Sequence, residues 1–155
     1  MNQSERIKII IDTREQRPWH FSPGMATTRI DTLRTGDYAL EGDDLFAIER
    51  KSLDDFLSTI SSGWDRFQRE IDRMELFPAK VIIVETDFES FFFQYYDGEL
   101  LPPGHRHYKL TPAFISKRVA ELTLQGVSIL FAKNADYAAG LALTILRERN
   151  DDIKM

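Results

Sequence analysis

The stretch "TGDYALEGDDLFAIERKSLDDF", Thr35 to Phe56, decides the fold. "TGDYAL" alternates towards a short strand, "EGDD" is a turn signal in which Gly42 can take a positive φ, and "LFAIERK" reads as the returning strand. The pattern predicts a β-hairpin with Asp37 and Glu49 on its paired strands. At Ser52 the period changes. Leu53, Phe56, Leu57 and Ile60 follow i, i+3, i+4, i+7, so the hairpin runs straight into a helix with Ser52 as N-cap. Residues i and i+2 of a strand share a face, so Glu49 and Lys51 emerge together while Ile48 and Arg50 point the other way.

Outward from the hairpin, "RIKIIIDTRE" opens with a β-branched run that reads as a buried strand ending in Asp12. "PWHFSPGM" is a loop, and "TTRIDTL" precedes the hairpin as a further short strand. Trp64, Phe67, Ile71 and Met74 mark a second helix, closed by Pro78, and "AKVIIVET" is a buried strand. Residues 87–111 read as a long functional loop or inserted arm. Thr111 and Pro112 open a helix carrying Ile115, Val119 and Leu122, which Gly126 ends; "VSILFA" is a strand, and a last helix starts at Asn134 or Asp136. These elements predict one α/β domain over residues 1–150, a central mixed sheet with helices on both faces, and a charged tail at 151–155.

The composition limits what such a domain can be. At 155 residues the chain is long enough for one core and short for two. It has no cysteine, which excludes disulfides, thiolate metal sites and cysteine nucleophiles. No run approaches the roughly 20 apolar residues of a spanning helix, and the N-terminus lacks the order of a secretory signal, so the expected location is cytoplasmic, with nucleoid association or a phage origin compatible. A net charge of -5 argues against a general nucleic-acid coat protein. It is compatible with an enzyme that gathers carboxylates around metal ions.

Asp37, Glu49 and Lys51 have the residue types that phosphodiester hydrolysis requires. Mg²⁺ or Mn²⁺ binds hard carboxylate oxygens and bridges phosphate, and a lysine beside it can orient the attacking water. Asp12 closes the first strand and Glu15 follows in "DTRE", so a second acidic pair is expected to converge on the same sheet edge. The bland alternative is an acidic residue across a strand from a lysine, both solvated.

"GDY…IERKSLDDF" resembles the motif of the XPF family of structure-selective DNA endonucleases, Gly-Asp followed by Glu-Arg-Lys-x-x-x-Asp, a branch of the PD-(D/E)XK superfamily with a restriction-endonuclease-like core. The resemblance implies that Asp37, Glu49, Arg50, Lys51 and Asp55 belong to the catalytic motif. Asp12 and Glu15 match the upstream acids, and Asp37, Glu49 and Asp12 would hold the metal. "DRFQREIDRM" is similar to the family's Arg-bearing helix, with Glu70 where a Gln is expected. The tandem helix-hairpin-helix domain common in the family has no counterpart here.

Several of these residues have local alternatives. Ser52-x-x-Asp55 is also a capping pattern, Arg50 could pair with a surface acid and Glu15 with Arg14 or Arg17. Arg14, Arg66, Arg73, Arg106 and Lys109 are the candidate DNA contacts, against a plainly solvated face. Phe91, Phe92 and Phe93 with Tyr95 and Tyr96 could stack on unpaired bases, contact a partner or pack a dimer.

The resulting expectation is a metal-dependent endonuclease acting on branched or junction DNA, as a homodimer or with a targeting or activating partner. The alternatives are a non-catalytic DNA-binding scaffold that keeps the fold and an interaction module that recruits a repair factor through 87–111.

Overall fold

The computed structural model describes residues 6–87, 89, 94–96, 99–101 and 110–155, with backbone alone at 94–96 and 99–101. A six-stranded sheet is built from β1 (Ile7–Asp12), β2 (Ala26–Asp31), β3 (Tyr38–Leu40), β4 (Ile48–Lys51), β5 (Lys80–Val84) and β8 (Val127–Phe131). Its order is β2-β1-β3-β4-β5-β8. The β1–β3 and β3–β4 pairs are antiparallel, whereas β1–β2, β4–β5 and β5–β8 are parallel. The sheet is therefore mixed, as the sequence predicts.

Among the described residues four helices cover it: α1 (Leu53–Ile60), α2 (Trp64–Arg73), α3 (Pro112–Leu124) and α4 (Ala135–Lys154). Strand alternation divides the core between the two faces. Ile9, Ile11, Tyr38, Leu40, Ile48, Val81 and Ile83 pack with Ala138, Ala142 and Leu146 of α4. Ile82 and Val84 turn the other way and meet Phe56, Leu57, Ile60, Phe67, Ile71, Ile115 and Leu122 of α1, α2 and α3. Each such aliphatic or aromatic side chain contributes about 1.5–3 kcal/mol by leaving water.

Local chemistry sets most helix starts. Ser52, Thr111 and Asn134 accept from the amides of Asp55, Phe114 and Tyr137, satisfying donors the first turn leaves open. Asn134 rather than Asp136 thus caps α4. Two boundaries differ from expectation. α2 ends at Arg73, five residues before Pro78, because turns at Met74–Phe77 close it first: Met74 N donates to Ile71 O and Phe77 N to Met74 O, both at 2.9 Å. α4 runs to Lys154, so most of the charged stretch 151–155 is helical.

Within 87–111, expected to be a long loop or inserted arm, β6 (Gln94–Tyr96) and β7 (Glu99–Leu101) pair as an antiparallel ribbon. Phe91, Phe92, Phe93, Arg106 and Lys109 lie outside the described residues. Arg118 of α3 fixes α2 against its neighbours, lying 4.0 Å from the Trp64 ring centroid and donating to Ile60 O at 3.0 Å. Among the described residues no helix is long and apolar enough to cross a membrane.

Candidate active site

The hairpin places its acid through a glycine. Gly36 has φ +81°, a region that L side chains rarely enter, and a Cβ there would lie 2.5 Å from the Ala47 Cβ. The chain can therefore pass hard against β4, and Asp37 is locked from both sides: its amide donates to Ile48 O and its carbonyl accepts from Asp12 N, each at 2.9 Å. Asp37 immediately precedes β3 instead of lying within it. Its Oδ2 accepts from the Arg50 amide at 2.8 Å, which holds the carboxylate over β4 beside Glu49.

Glu49 and Lys51 share a face, with Lys51 Nζ 3.5 Å from Glu49 Oε1, and both side chains are largely buried. They open into a cleft of about 230 Å³ together with Asp37. On α2, Arg66, Glu70 and Arg73 fall at i, i+4 and i+7 and line the same cleft, while Phe67 and Ile71 turn into the core. Arg14 and Arg34 complete a cationic rim. Five cations, Arg14, Arg34, Lys51, Arg66 and Arg73, thus surround four carboxylates, Glu15, Asp37, Glu49 and Glu70.

Burial is the main force on the acids. It pushes Asp37 up to about 6, reinforced by the Glu15 charge and opposed by the Arg50 amide and Lys51. Glu49 rises further, to about 8, through burial, then the Asp37 charge, with Glu70 adding to it and Lys51 opposing. Two carboxylates in one half-buried place cannot both ionise cheaply without added positive charge.

A protein whose residues 11–144 match the ERCC4 domain model has its family decided by that span, which is most of the chain. The chain belongs to the ERCC4 domain family. The fold agrees: it is similar to XPF from Aeropyrum pernix, with TM-score 0.63 and 20% identity over 92% of this chain and 61% of that one. It is also similar to XPF from Aeropyrum pernix in complex with DNA, with TM-score 0.65 and 23% identity over 95% of this chain and 66% of that one. The chain therefore spans under two thirds of either structure. No curated protein matches it significantly.

This ERCC4 domain distributes the expected site residues over two places. Asp37, Glu49, Lys51, Arg66 and Arg73 meet in the cleft, with Arg14 and Glu15 at its edge. Asp12 is 1% exposed and ties the segments after β1 and β2 together instead: Oδ2 accepts from Arg14 Nε at 2.7 Å and Oδ1 from the Leu33 amide at 2.9 Å. Burial raises its pKa, but the hydrogen bonds from Arg14 and Leu33 outweigh that and hold it below the ordinary carboxylate value. Asp12 spends its carboxylate on Arg14 and the Leu33 amide and, unlike Glu15, Asp37 and Glu49, does not line the cleft. Among the described residues no three carboxylates or histidines stand as a ready cation cage.

Arg50 points to the opposite face, as strand alternation requires. Its guanidinium donates to Glu15 Oε2 at 3.0 Å and to Arg17 O at 2.7 Å, pairs with Glu85 Oε1, and sits 5.0 Å from the centre of the Trp19 ring. Trp19 stacks on Tyr38 at 4.3 Å, and its indole N–H donates to Glu85 at 2.7 Å. Asp55 lies on this side, in a separate hollow with Arg50, Ser52 and Glu85. Arg50 and Asp55 line this second hollow and not the acidic cleft.

Sequence reasoning missed Glu85 and Arg34. Glu85 follows β5 and accepts from two elements distant in sequence, which no local pattern announces. Arg34 stands two residues before Gly36, a weak cue that becomes meaningful only when the loop is folded over the cleft.

Proposed function

We propose that this ERCC4 domain, a single nuclease unit, is a divalent-cation-dependent DNA endonuclease that hydrolyses phosphodiesters at branched or single-strand/duplex junctions. The observation that carries the reading is the largely buried pair Asp37 and Glu49, with Lys51 held on Glu49 in the same cleft and arginines around it. A pair of carboxylates with raised proton affinity suits a hard cation, since Mg²⁺ is commonly held by one or two carboxylates with water and substrate phosphate completing its shell. Asp37 and Glu49 would hold Mg²⁺ or Mn²⁺, which when bound supplies charge neutralisation at the phosphate.

The chain's own groups do the rest. Arg66 and Arg73 on α2, with Arg14 and Arg34 across the cleft, draw in and orient the phosphate backbone. Lys51 Nζ, held by Glu49, positions the attacking water in line with the bond to be cut and offsets charge that develops on the phosphate. Arg50, Glu15, Glu85 and Trp19 clamp β4 from behind, fixing Glu49 and Lys51. Asp12 holds Arg14 and Leu33 together beside the cleft. Selection of junctions falls to further contacts, in a homodimer or with a targeting protein.

The test uses end-labelled duplex, single-stranded, flap and fork DNAs with Mg²⁺, Mn²⁺ or EDTA, and the variants Asp37→Asn and Lys51→Ala. Cleavage that needs the cation and falls by about 100-fold or more in both folded variants is expected. Binding without cleavage under every condition would instead assign a scaffolding role.

A further inference from the structure

The acidic cleft does not end at Asp37. Along the same face of the hairpin it continues into a larger groove of about 470 Å³, with Arg34, Thr35 and Arg73 bordering both spaces. The reason lies in the strands: on this face β3 carries only Ala39, and Ala47 stands just before β4, whereas Tyr38, Leu40 and Ile48 fill the other face. Two small side chains leave room beneath the turn that ends α2. That turn contributes Leu76 and Phe77, and the facing walls contribute Leu33 and Leu45.

This apolar surface is open. Leu76 is 79% exposed and Leu45 is 47% exposed. Its acidic end is partly neutralised, since Asp43 is paired with Arg149 at 2.9 Å. Asp44, at the hairpin turn, lines the groove as well. The groove thus offers cations where it joins the cleft and apolar walls beyond.

We infer that the groove seats an unpaired nucleotide adjacent to the phosphate held in the cleft. A nucleotide has the matching polarity: Arg34 and Arg73 meet its phosphate while Phe77, Leu76 and Leu33 cover the flat base. A base inside a duplex cannot enter, because its faces are already stacked. The groove therefore supplies a preference for single-stranded DNA next to the cut. The inference rests on the nuclease reading for the choice of nucleic acid, and gives that site a strand-specific contact.

Fluorescence anisotropy with forked DNA in EDTA tests it, using the native protein, Phe77→Ala and Leu76→Ala, and forks in which single nucleotides beside the junction are made abasic in turn. Leu76 is so exposed that its replacement leaves folding intact. Loss of one stacked base weakens binding by about 5- to 100-fold, and the same loss is expected for Phe77→Ala, with a smaller one for Leu76→Ala. One abasic position should weaken native binding and add nothing in Phe77→Ala. An abasic scan that is flat, or variants that bind like the native protein, would overturn the inference. So would loss of self-association in Leu76→Ala with DNA binding unchanged, which assigns the groove to a second copy. Cleavage in Mg²⁺ is scored separately: coupling without cleavage keeps the groove and removes the nuclease reading, and cleavage with a flat scan does the reverse.

Discussion

Replacing Gly36 with alanine isolates what holds Asp37 against β4. The substitution has two separable costs. At φ +81° an L residue loses about 1–2 kcal/mol relative to glycine. The new methyl would also fall 2.5 Å from the Ala47 Cβ, too close for any pair of carbons, so the hairpin must part, at an overpacking cost of about 1–3 kcal/mol. Together these give a loss of about 2–5 kcal/mol, or a fall in Tm of about 4–20 °C at about 2–4 °C per kcal/mol for a domain of this size. Urea unfolding followed by circular dichroism measures the loss. The double variant Gly36→Ala with Ala47→Gly removes the steric contact but keeps the strained φ. It should therefore recover about 1–3 kcal/mol relative to the sum of the single changes. A loss under about 1 kcal/mol in Gly36→Ala, or simple additivity in the double variant, would refute the close-approach argument.

The acidic pair makes stability depend on pH and cation. Glu49 is raised from an ordinary 4.5 to about 8, so the folded state holds a proton that the unfolded state releases. Its contribution is present at low pH and fades as pH rises from about 4.5 through about 8, so in EDTA Glu49→Gln should melt like the native protein near pH 4 and above it near pH 9; a pH-independent difference would contradict this. Mg²⁺ should raise the native Tm at high pH and leave that of Glu49→Gln unchanged. Glu85→Ala leaves the buried Trp19 indole N–H without its partner and should cost about 1–3 kcal/mol in chemical denaturation, although Glu85 lies outside the acidic cleft. Arg66→Ala and Arg73→Ala should each weaken DNA binding regardless of sequence and lower the slope of log affinity against log salt by about 1, measured by anisotropy titrations.

Local patterns made much of the framework legible. The β-branched run Ile7–Asp12, the caps Ser52 and Thr111, and the stripe of Phe56, Leu57 and Ile60 each rely on neighbours within a few residues, which the sequence displays directly, whereas the choice of Asn134 over Asp136 as the last cap came from the structure. α2 escaped in its boundary because backbone turns at Met74–Phe77 stopped it before Pro78 could. The ribbon β6–β7 escaped because a register between strands is a long-range choice that aromatic composition does not fix.

The sequence by itself determined the family motif, the mixed α/β class and the fact that Glu49 and Lys51 share a face opposite Arg50, since a strand's period of two leaves no other arrangement. Only the tertiary structure decided which acids meet. Asp12 ends β1 and Asp37 immediately precedes the neighbouring β3, yet Asp12 turns to Arg14 and Leu33 while Asp37 is held beside Glu49, because backbone amides on different neighbours claim each carboxylate. It also decided that Arg50 reaches Glu85 across the sheet and that Arg66, Glu70 and Arg73 close over the cleft. These contacts join residues far apart in the chain, and their energies exist only once the sheet has brought its strands side by side.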